Sequence, residues 1–375
     1  MKQIPFNKPY YSGNEQEYIM QAIASGKISG DGIFSKKCQS FFEGKYSFKK
    51  TLLTTSCTDA LEMSAILLNI KEGDEVIIPS YTFVSTASAF VLRGAKIVFA
   101  DSCKEHPNID PEQLERLVTK RTKAIVIVHY AGVACDMDRI MEISKKYNVP
   151  VVEDCAQSID SYYKNIPLGS FGELSTLSFH ETKNIICGEG GLIVINNQKY
   201  FDRAEIIREK GTNRAAFFRG DVDKYGWKDI GSSFLPSDLL AAYLYAQLES
   251  LEKIQKKRIE IWGHYQRRLE GVLERFGVEL PFIPNWATNN AHMYYLVAKD
   301  LRQRSAIISK MRTFDIHTPF HYVPLHSSPY YESKHDGRIL SQADKFSDRL
   351  LRLPFYYQLT AEELDYICDK LISSF

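Results

Sequence analysis

Buried strands that alternate with helices over residues 51–195 constrain the fold more than any other feature of the sequence. Short apolar runs typical of strands lie at 51–55, 74–79, 95–100, 123–129, 149–152, 174–179 and 192–195. Between the first five of them lie segments with helical spacing, at 60–68, 85–93, 112–118 and 138–147. Strand–helix–strand repeats of this kind predict an α/β protein whose large, mainly parallel mixed sheet carries helices on both faces. Ligands of such sheets bind at the carboxyl ends of the strands.

The sequence changes character near residue 251. From Ser237 to about Phe276, apolar residues follow the three-to-four spacing of a helix. More than 25 helical residues predict either a break or a long helix that crosses between domains. Short strands, short helices and several prolines follow. We therefore predict a large domain over residues 1–251 and a smaller C-terminal α/β domain over residues 252–375.

Charge and cysteine content exclude several classes of function. The net charge is +1 without a long run of one sign, which argues against nucleic acid or an anionic membrane as the main partner. No apolar run approaches the ~18 residues of a membrane-spanning helix, and the first residues lack the apolar centre of a signal peptide. Seven cysteines without a CxxC pair are typical of a protein that works in a reducing cytoplasm and holds no metal cluster.

One lysine lies on a loop between two predicted buried strands. The strand that ends at Phe179 gives way to the polar run His180–Asn184, and Gly188, Gly190 and Gly191 precede the next strand. A lysine that forms an imine with an aldehyde cofactor has to be held rigidly and partly desolvated, and Lys183 is in such a position. Taken alone, this position favours an ordinary solvated loop lysine, and the case for Lys183 depends on the rest of the chain.

Two further positions belong to the same predicted edge of the sheet. Ser56–Asp59 turn a strand into a helix, where free N–H groups and the helix dipole make an anion site to which Thr58 adds a hydroxyl. Asp154 ends a strand and can pair with a protonated ring nitrogen, whereas Glu153 faces the other side by strand alternation. The alternatives are simple helix capping by Ser56 or Thr58, and by Asp154.

Taken together, these positions match one cofactor. An anion site at 56–59, an aromatic residue after a strand end (Phe83), a strand-end acid (Asp154) and a loop lysine five residues after Ser178 occur in order on one sheet. They meet the needs of a phosphate, a flat ring, a pyridinium nitrogen and an aldehyde. That set describes pyridoxal 5′-phosphate (PLP), whose electron-sink chemistry requires an acid at the ring nitrogen.

The chain also resembles a known family. Its motifs are Pro79–Thr86, Val152–Gln157, Ser178–Asn184 with Gly188–Gly191, and His321–His326. These resemble the DegT/DnrJ/EryC1/StrS sugar aminotransferases, PLP enzymes of fold type I, over essentially the whole chain. Within that family, His129–Cys135 and Arg208–Arg214 are most similar to the aminotransferases that make dTDP-4-amino-4,6-dideoxy sugars.

The resemblance implies a role for each matching residue. Lys183 would hold PLP as an imine and move the proton, and Asp154 would pair with the ring nitrogen. Gln157 would contact the ring hydroxyl and Phe83 would stack on the ring. Phosphate contacts would come from Cys57, Thr58 and Ser178, and substrate contacts from His321 and Tyr322.

Assembly is also implied by the resemblance. Many family members carry an Asn-Tyr-Arg run before the long helix, and the Asn reaches the phosphate of the neighbouring subunit. Ser233 stands at that position here and has a shorter reach. A homodimer with shared active sites is therefore expected, and Ser233 would be its weaker cross-subunit contact.

The expected reaction follows from the same resemblance. L-Glutamate would donate its amine to C4 of dTDP-4-keto-6-deoxy-D-glucose, giving the gluco product (viosamine) or its galacto epimer. Arg219 and Lys224 are candidates for the pyrophosphate, and the loop Gly26–Gly32 either connects two helices or folds over the sugar. Alternatives are amination at C3, a UDP-linked ketosugar, and a nonenzymatic regulator on this fold. A related dehydratase would carry histidine in place of Lys183, and a nicotinamide enzyme would need a GxGxxG that is absent.

Overall fold

The computed structural model of the chain describes residues 3–375. Its strands are β1 (Thr51–Thr54), β2 (Glu75–Pro79), β3 (Lys96–Ala100), β4 (Thr122–Val128), β5 (Val151–Asp154), β6 (Tyr162–Tyr163), β7 (Ile166–Pro167), β8 (Leu174–Ser178), β9 (Gly191–Ile195), β10 (Tyr295–Val297) and β11 (Leu350–Arg352). Seven of them form one sheet in the order β1-β9-β8-β5-β4-β2-β3. The five strands from β8 to β3 are parallel, and β9 and β1 are antiparallel to their neighbours. The predicted mainly parallel, mixed sheet is confirmed.

Helices cover both faces of this sheet. They are α1 (Glu15–Ala24), α2 (Ile33–Tyr46), α3 (Cys57–Leu67), α4 (Ser85–Val91), α5 (Pro111–Leu117), α6 (Met137–Tyr147), α7 (Phe201–Arg208), α8 (Arg214–Arg219), α9 (Asp238–Glu249), α10 (Leu251–Leu269), α11 (Leu301–Thr313), α12 (Ser341–Arg349) and α13 (Ala361–Ile372). Most predicted boundaries hold within two residues. Helix α3 starts three residues earlier than predicted, because the Ser56 side chain accepts the Asp59 N–H and caps the helix there.

The predicted long helix after Ser237 is broken. Ser250, with φ −95° and ψ 5°, separates α9 from α10. Helix α9 packs against α1 and α2 beside the sheet, whereas the later part of α10 buries Ile261 and Tyr265 in a separate core. The sequence allowed a break or a continuous helix, and the structure shows the break.

The C-terminal region has its own core and also completes that of the sheet. A separate hydrophobic cluster gathers residues from α10, α11 and α13, and Ile4 joins it through a bridge to Ile316. Met293, Tyr295 and Leu325 instead pack into the cluster that covers one face of the large sheet. The division at residue 251/252 stays a prediction, and the C-terminal residues close over the strand ends where a site was expected.

Within residues 3–375, no helix is both long enough and apolar enough to cross a membrane.

Candidate active site

A cavity of about 1010 Å³ opens at the carboxyl ends of the parallel strands and is closed on its far side by C-terminal residues. Nine of the predicted site residues line it: Cys57, Thr58, Phe83, Asp154, Gln157, Ser178, Lys183, His321 and Tyr322. They are drawn from positions 57 to 322 of the chain. The fold therefore brings together nearly every side chain that the sequence suggested for cofactor binding.

Lys183 lies on a short, well-anchored loop. Its N–H donates to His180 O at 2.9 Å, and the Glu181 N–H donates to Gly188 O at 3.0 Å. The next residue, Asn184, is buried and donates to Gln255 Oε1 at 2.8 Å and to Asn290 O at 2.9 Å. Burial lowers the pKa of the Lys183 amine. A rigidly held amine with a depressed pKa is suited to nucleophilic and proton-transfer chemistry.

Asp154 ends β5 and directs its carboxylate into the cavity. Thr86 donates to its Oδ2 at 2.8 Å, and the Ala156 N–H donates to its Oδ1 at 3.1 Å. Burial nevertheless raises the pKa of this carboxyl. A buried carboxylate without a full partner favours a cationic group beside it, such as a protonated ring nitrogen. Glu153, as predicted, faces the opposite side, where it accepts from the Gly169 and Gly172 N–H groups.

The N-terminus of α3 lies at the position where the sequence predicted an anion site. Cys57 and Thr58 occupy its first turn, and the Thr58 hydroxyl donates to Ser85 Oγ at 2.8 Å. Gly191 packs so tightly here that a Cβ would lie 2.4 Å from the Ser56 carbonyl carbon. Ser178 is the ladder partner of Gly191 and therefore stands beside the same helix terminus. The helix dipole and these hydroxyls favour a phosphate.

Gln157 is oriented by the turn that follows β4. Its Oε1 accepts the Ala131 N–H at 2.6 Å, which directs its amide NH₂ to the Tyr322 hydroxyl at 3.1 Å. Ala131 adopts a left-handed conformation with φ +56°. Gly132 follows with φ +78°, and a Cβ there would lie 1.9 Å from Asn290 Oδ1. The turn thus fixes which end of the Gln157 amide faces the cavity.

His321 and Tyr322 form the opposite wall. Their rings stack with centroids 3.6 Å apart, and Tyr322 has a left-handed φ of +32°. The Tyr130 hydroxyl lies 2.7 Å from His321 Nδ1, and burial lowers the pKa of His321 well below its ordinary range. The His321 ring in this wall is therefore neutral. Phe83 lies at the rim, 56% exposed, with its ring 6.1 Å from that of Tyr322.

Three predicted positions lie elsewhere. Arg219 and Lys224 do not line the cavity of this chain, contrary to the expectation that they lie near its mouth. Arg219 instead pairs with Glu205 and Asp221, because these carboxylates neighbour it on α7 and in the following turn. Ser233 is also outside the cavity and forms a bridge with Glu209.

The loop Gly26–Gly32 does not cover the cavity of its own chain either. Asp31 forms an ion pair with Arg208. A Cβ on Gly32 would collide with the Asp238 side chain. That carboxylate accepts hydrogen bonds from the Phe34 and Ser35 N–H groups at the start of α2. Within one chain, the loop is therefore a connector between α1 and α2.

Sequence reasoning missed several residues in or beside the cavity, among them Ser85, Thr86 and Arg352. Ser85 and Thr86 lie in a motif from which only Phe83 was chosen, and they orient Thr58 and Asp154. Arg352 also lines the cavity. Its signal was present in the sequence, since it is a lone charge within the apolar run Leu350–Phe355.

The arrangement defines a class. A mixed seven-stranded sheet with a lysine loop, a strand-end acid and an anion-binding helix terminus is the architecture of fold type I PLP enzymes. The sequence profile of the DegT/DnrJ/EryC1/StrS aminotransferase family matches residues 9–372, and the chain belongs to that family. The family membership inferred from the motifs is confirmed.

Individual proteins agree with this assignment. GDP-perosamine synthase of Escherichia coli O157:H7 is 30% identical over 99% of this chain and 98% of its own. The spore coat polysaccharide biosynthesis protein SpsC of Bacillus subtilis is 31% identical over 98% of this chain and 96% of its own. Among solved structures, the aminotransferase TlmJ from Streptoalloteichus hindustanus superimposes with a TM-score of 0.92, at 26% identity over 100% and 99% of the two chains. The PLP form of Spr1654 from Streptococcus pneumoniae gives 0.90, at 24% identity over 100% and 98%.

PLP is the cofactor of this family, as the sequence predicted. The residues of this chain fit it. The buried Asp154 lacks a cationic partner within hydrogen-bonding distance among residues 3–375, and the α3 terminus presents N–H groups and hydroxyls to an anion. The cavity volume also leaves room for a substrate beside the cofactor.

Proposed function

We propose that this chain, a sugar aminotransferase by family, transfers the amino group of L-glutamate to C4 of dTDP-4-keto-6-deoxy-D-glucose, giving dTDP-4-amino-4,6-dideoxy-D-glucose (viosamine) or its galactose epimer. The proposed reaction type rests on one observation. Lys183, Asp154 and the N-terminus of α3 line the same cavity. The product would feed synthesis of a surface polysaccharide such as an O-antigen, and we place the reaction in the cytoplasm.

Each of the predicted cavity residues would have a distinct role toward the cofactor or the substrate. Bound PLP supplies an electron sink for the carbon that loses and regains a proton. Lys183 would hold the cofactor through its Nζ and, when displaced by substrate, carry that proton. Asp154 would keep a negative charge at the ring nitrogen, with Thr86 fixing the carboxylate. Phosphate contacts would come from Cys57, Thr58 and Ser178, ring contacts from Phe83 and Gln157, and substrate contacts from His321 and Tyr322.

The choice of dTDP as the nucleotide and of C4 as the aminated carbon rests on sequence resemblance. The stretches His129–Cys135 and Arg208–Arg214 favour a dTDP-linked 4-ketosugar. One relative is named for a GDP-linked product, so a GDP-linked ketosugar is the second candidate acceptor. The SpsC relative is named for polysaccharide synthesis, which supports the proposed use of the product.

Product analysis tests this proposal. The holoenzyme is incubated with L-glutamate and, in separate samples, the dTDP-, UDP- and GDP-linked 4-ketosugars, and each product is examined by proton NMR. We expect amination of the dTDP sugar at C4. A large H3–H4 coupling identifies the gluco product and a small one the galacto epimer. An amine at C3, or turnover of only the UDP- or GDP-linked sugar, replaces the proposed acceptor. A holoenzyme that converts no ketosugar favours the regulator.

We also propose a homodimer with shared active sites. Ser233 is exposed and outside the cavity of its own chain, which leaves it available to the phosphate site of a second copy. Ser233→Ala should then weaken PLP binding by less than tenfold, as expected for one hydroxyl contact.

Arg219 and Lys224 are also exposed and lie outside the cavity of their own chain. Kinetics of the Arg219→Gln and Lys224→Gln variants test whether either residue contributes to the nucleotide-sugar KM of a neighbouring subunit.

A further inference from the structure

The hydrogen bonds of Asn184, the residue after Lys183, determine which nitrogen of the His292 ring carries a proton. The amide nitrogen of Asn184 donates to Gln255 Oε1 at 2.8 Å and to Asn290 O at 2.9 Å. Its amide oxygen is therefore the atom that lies 2.9 Å from His292 Nδ1. Because an amide oxygen only accepts hydrogen bonds, His292 Nδ1 carries the proton and donates it.

The other nitrogen of the His292 ring is a free acceptor. The residue is only 7% exposed, and burial lowers its pKa well below the ordinary value of histidine, so the ring is neutral. A neutral imidazole with a proton on Nδ1 has a lone pair on Nε2. The ring lines the cavity, and no residue among 3–375 donates a hydrogen bond to Nε2. The lone pair is thus available to a molecule bound in the cavity.

A turn of the C-terminal region holds His292 in this position. Its N–H donates to Asn290 Oδ1 at 3.0 Å, and its carbonyl accepts from Arg258 Nη2 at 2.6 Å. The Asn290 amide nitrogen donates to the carbonyls of Gln157 and Ile159, each at 2.9 Å. The turn is therefore hydrogen-bonded to the segment that follows β5 as well as to the lysine loop. A side chain held in this way loses little freedom when a ligand binds to it.

The two proposed substrates differ in what they can donate to such an acceptor. L-Glutamate has one nitrogen, which is the group that it gives up, and its two carboxylates only accept hydrogen bonds. A 4-keto-6-deoxyhexose carries hydroxyls at C2 and C3, and each of them can donate a hydrogen bond. A lone pair on a neutral ring is therefore complementary to the sugar and not to the amino acid.

We propose that His292 Nε2 accepts a hydrogen bond from the sugar hydroxyl next to the reacting carbonyl, which is the C3 hydroxyl of the proposed acceptor. The inference rests on the proposed transamination at C4. Asn184 joins His292 to the residue that follows Lys183, and the charge of the Lys183 amine contributes to the lowered pKa of His292, so the two side chains are close together. Lys183 acts at C4, and the C3 hydroxyl is nearer to C4 than the C2 hydroxyl. His292 thus selects an acceptor that carries this hydroxyl.

The two half-reactions separate this role from a role toward the lysine, because Lys183 takes part in both and the sugar in only one. L-Glutamate converts the holoenzyme from its PLP form to its pyridoxamine phosphate (PMP) form, and the ketosugar converts it back, and absorbance follows each step. The acceptors are the nucleotide-linked 4-ketosugar that the wild-type protein aminates and its 3-deoxy counterpart.

Two variants and a control complete the design. His292→Asn keeps a donor for Asn184 but leaves no acceptor at the place of Nε2. The longer side chain of His292→Gln keeps both a donor and an acceptor. The control is His106→Asn, because His106 is also buried, at 9% exposure, and lies outside the cavity. Bound PLP absorbance and the melting temperature report whether each variant folds.

We expect the wild-type protein to use the 3-deoxy sugar at least tenfold less efficiently, because Nε2 then stays buried without a donor. His292→Asn should lower kcat/KM for the hydroxylated sugar roughly fivefold and abolish this discrimination, while the L-glutamate half-reaction keeps its wild-type rate. His292→Gln should retain part of the discrimination, and His106→Asn should match the wild type in both half-reactions.

Other results overturn the proposal. A His292→Asn variant that slows both half-reactions equally assigns His292 to Lys183 or to the fold, and a variant that still discriminates shows that Nε2 does not bind the hydroxyl. If His292→Asn does not fold, a wild-type protein that uses both sugars equally well overturns the proposal without any variant. A wild-type protein that takes the amine from L-glutamate but aminates no ketosugar contradicts the proposed function and, with it, this role of His292.

Discussion

Lys183 and Asp154 carry opposite charges into one cavity, and neighbouring side chains hold each of them in place. Asn184 anchors the lysine loop through two donated hydrogen bonds, and Thr86 anchors the carboxylate through one. Burial shifts the pKa of both groups toward their neutral forms. Such opposing shifts at one site are characteristic of catalytic centres.

Lys183→Ala should abolish covalent attachment of the cofactor. Borohydride treatment of the wild-type protein should label the peptide that contains Lys183, and peptide mass analysis locates the label. The exposed Lys224 provides a matched control, since Lys224→Ala should leave labelling intact. A label on any other lysine contradicts the assignment.

Asp154→Asn should lower kcat by orders of magnitude while the protein stays folded, because a neutral amide does not keep the ring nitrogen protonated. Thr86→Val removes the hydroxyl that donates to the carboxylate and also lies 2.9 Å from Thr82 Oγ1, and it should lower kcat about fivefold, in line with about 1 kcal/mol for such a bond. Steady-state kinetics and circular dichroism measure both effects. Near-normal turnover of Asp154→Asn would mean that Asp154 has only a structural role.

At the scale of secondary-structure elements, the proposed phosphate site depends on how closely β9 approaches α3. A Cβ at Gly191 would lie 2.5 Å from the Cys57 nitrogen, so this strand can approach the helix terminus only with glycine. The site is thus an interface between an antiparallel strand and a helix that begins more than 130 residues earlier.

Gly191→Ala should displace the α3 terminus, destabilise the protein and weaken PLP binding at least tenfold. Gly44→Ala is the matched control, because Gly44 lies inside α2 with no atom within 4 Å of an added Cβ. That change should stabilise the protein by about 0.5–1 kcal/mol and leave PLP affinity unchanged. Fluorescence titration with PLP and urea unfolding test the pair, and equal behaviour of the two variants contradicts the close-approach argument.

At the scale of the whole molecule, the C-terminal region buries polar groups against the sheet domain and makes stability depend on pH. Burial lowers the pKa of His292 well below its ordinary value, and His292 lies 2.9 Å from Asn184 Oδ1 through Nδ1. The folded chain therefore binds fewer protons there than the unfolded chain. This contribution to stability is complete above the ordinary histidine pKa of about 6.5 and declines as the pH falls below it.

Urea unfolding between pH 7.5 and 5.0 measures this dependence. Replacing His292 by Gln keeps a donor for Asn184 and should flatten the slope below pH 6.5 by up to about 1.4 kcal/mol per pH unit. His317→Gln, at an exposed position, should retain the wild-type slope. An identical pH profile for His292→Gln would show that His292 does not contribute to acid sensitivity.

The sequence by itself determined the succession of the seven sheet strands and of the helices between the first five of them, because each of these elements has a period and a boundary signal that lie within a few residues. It also predicted Lys183 and Asp154 as site residues, because a loop flanked by glycines and an acid at a strand end are local patterns. The resemblance to the family implied the roles that we propose for them.

Only the tertiary structure decided which distant residues share the cavity. Arg352 reaches it because the C-terminal region folds back over the strand ends, and the apolar sequence around the arginine does not specify that direction. Arg219 looked as suitable for an anion, yet Glu205 and Asp221 pair with it once α7 and α8 pack. Charge and spacing in a sequence are local quantities, whereas the partner of a charge is set by long-range packing.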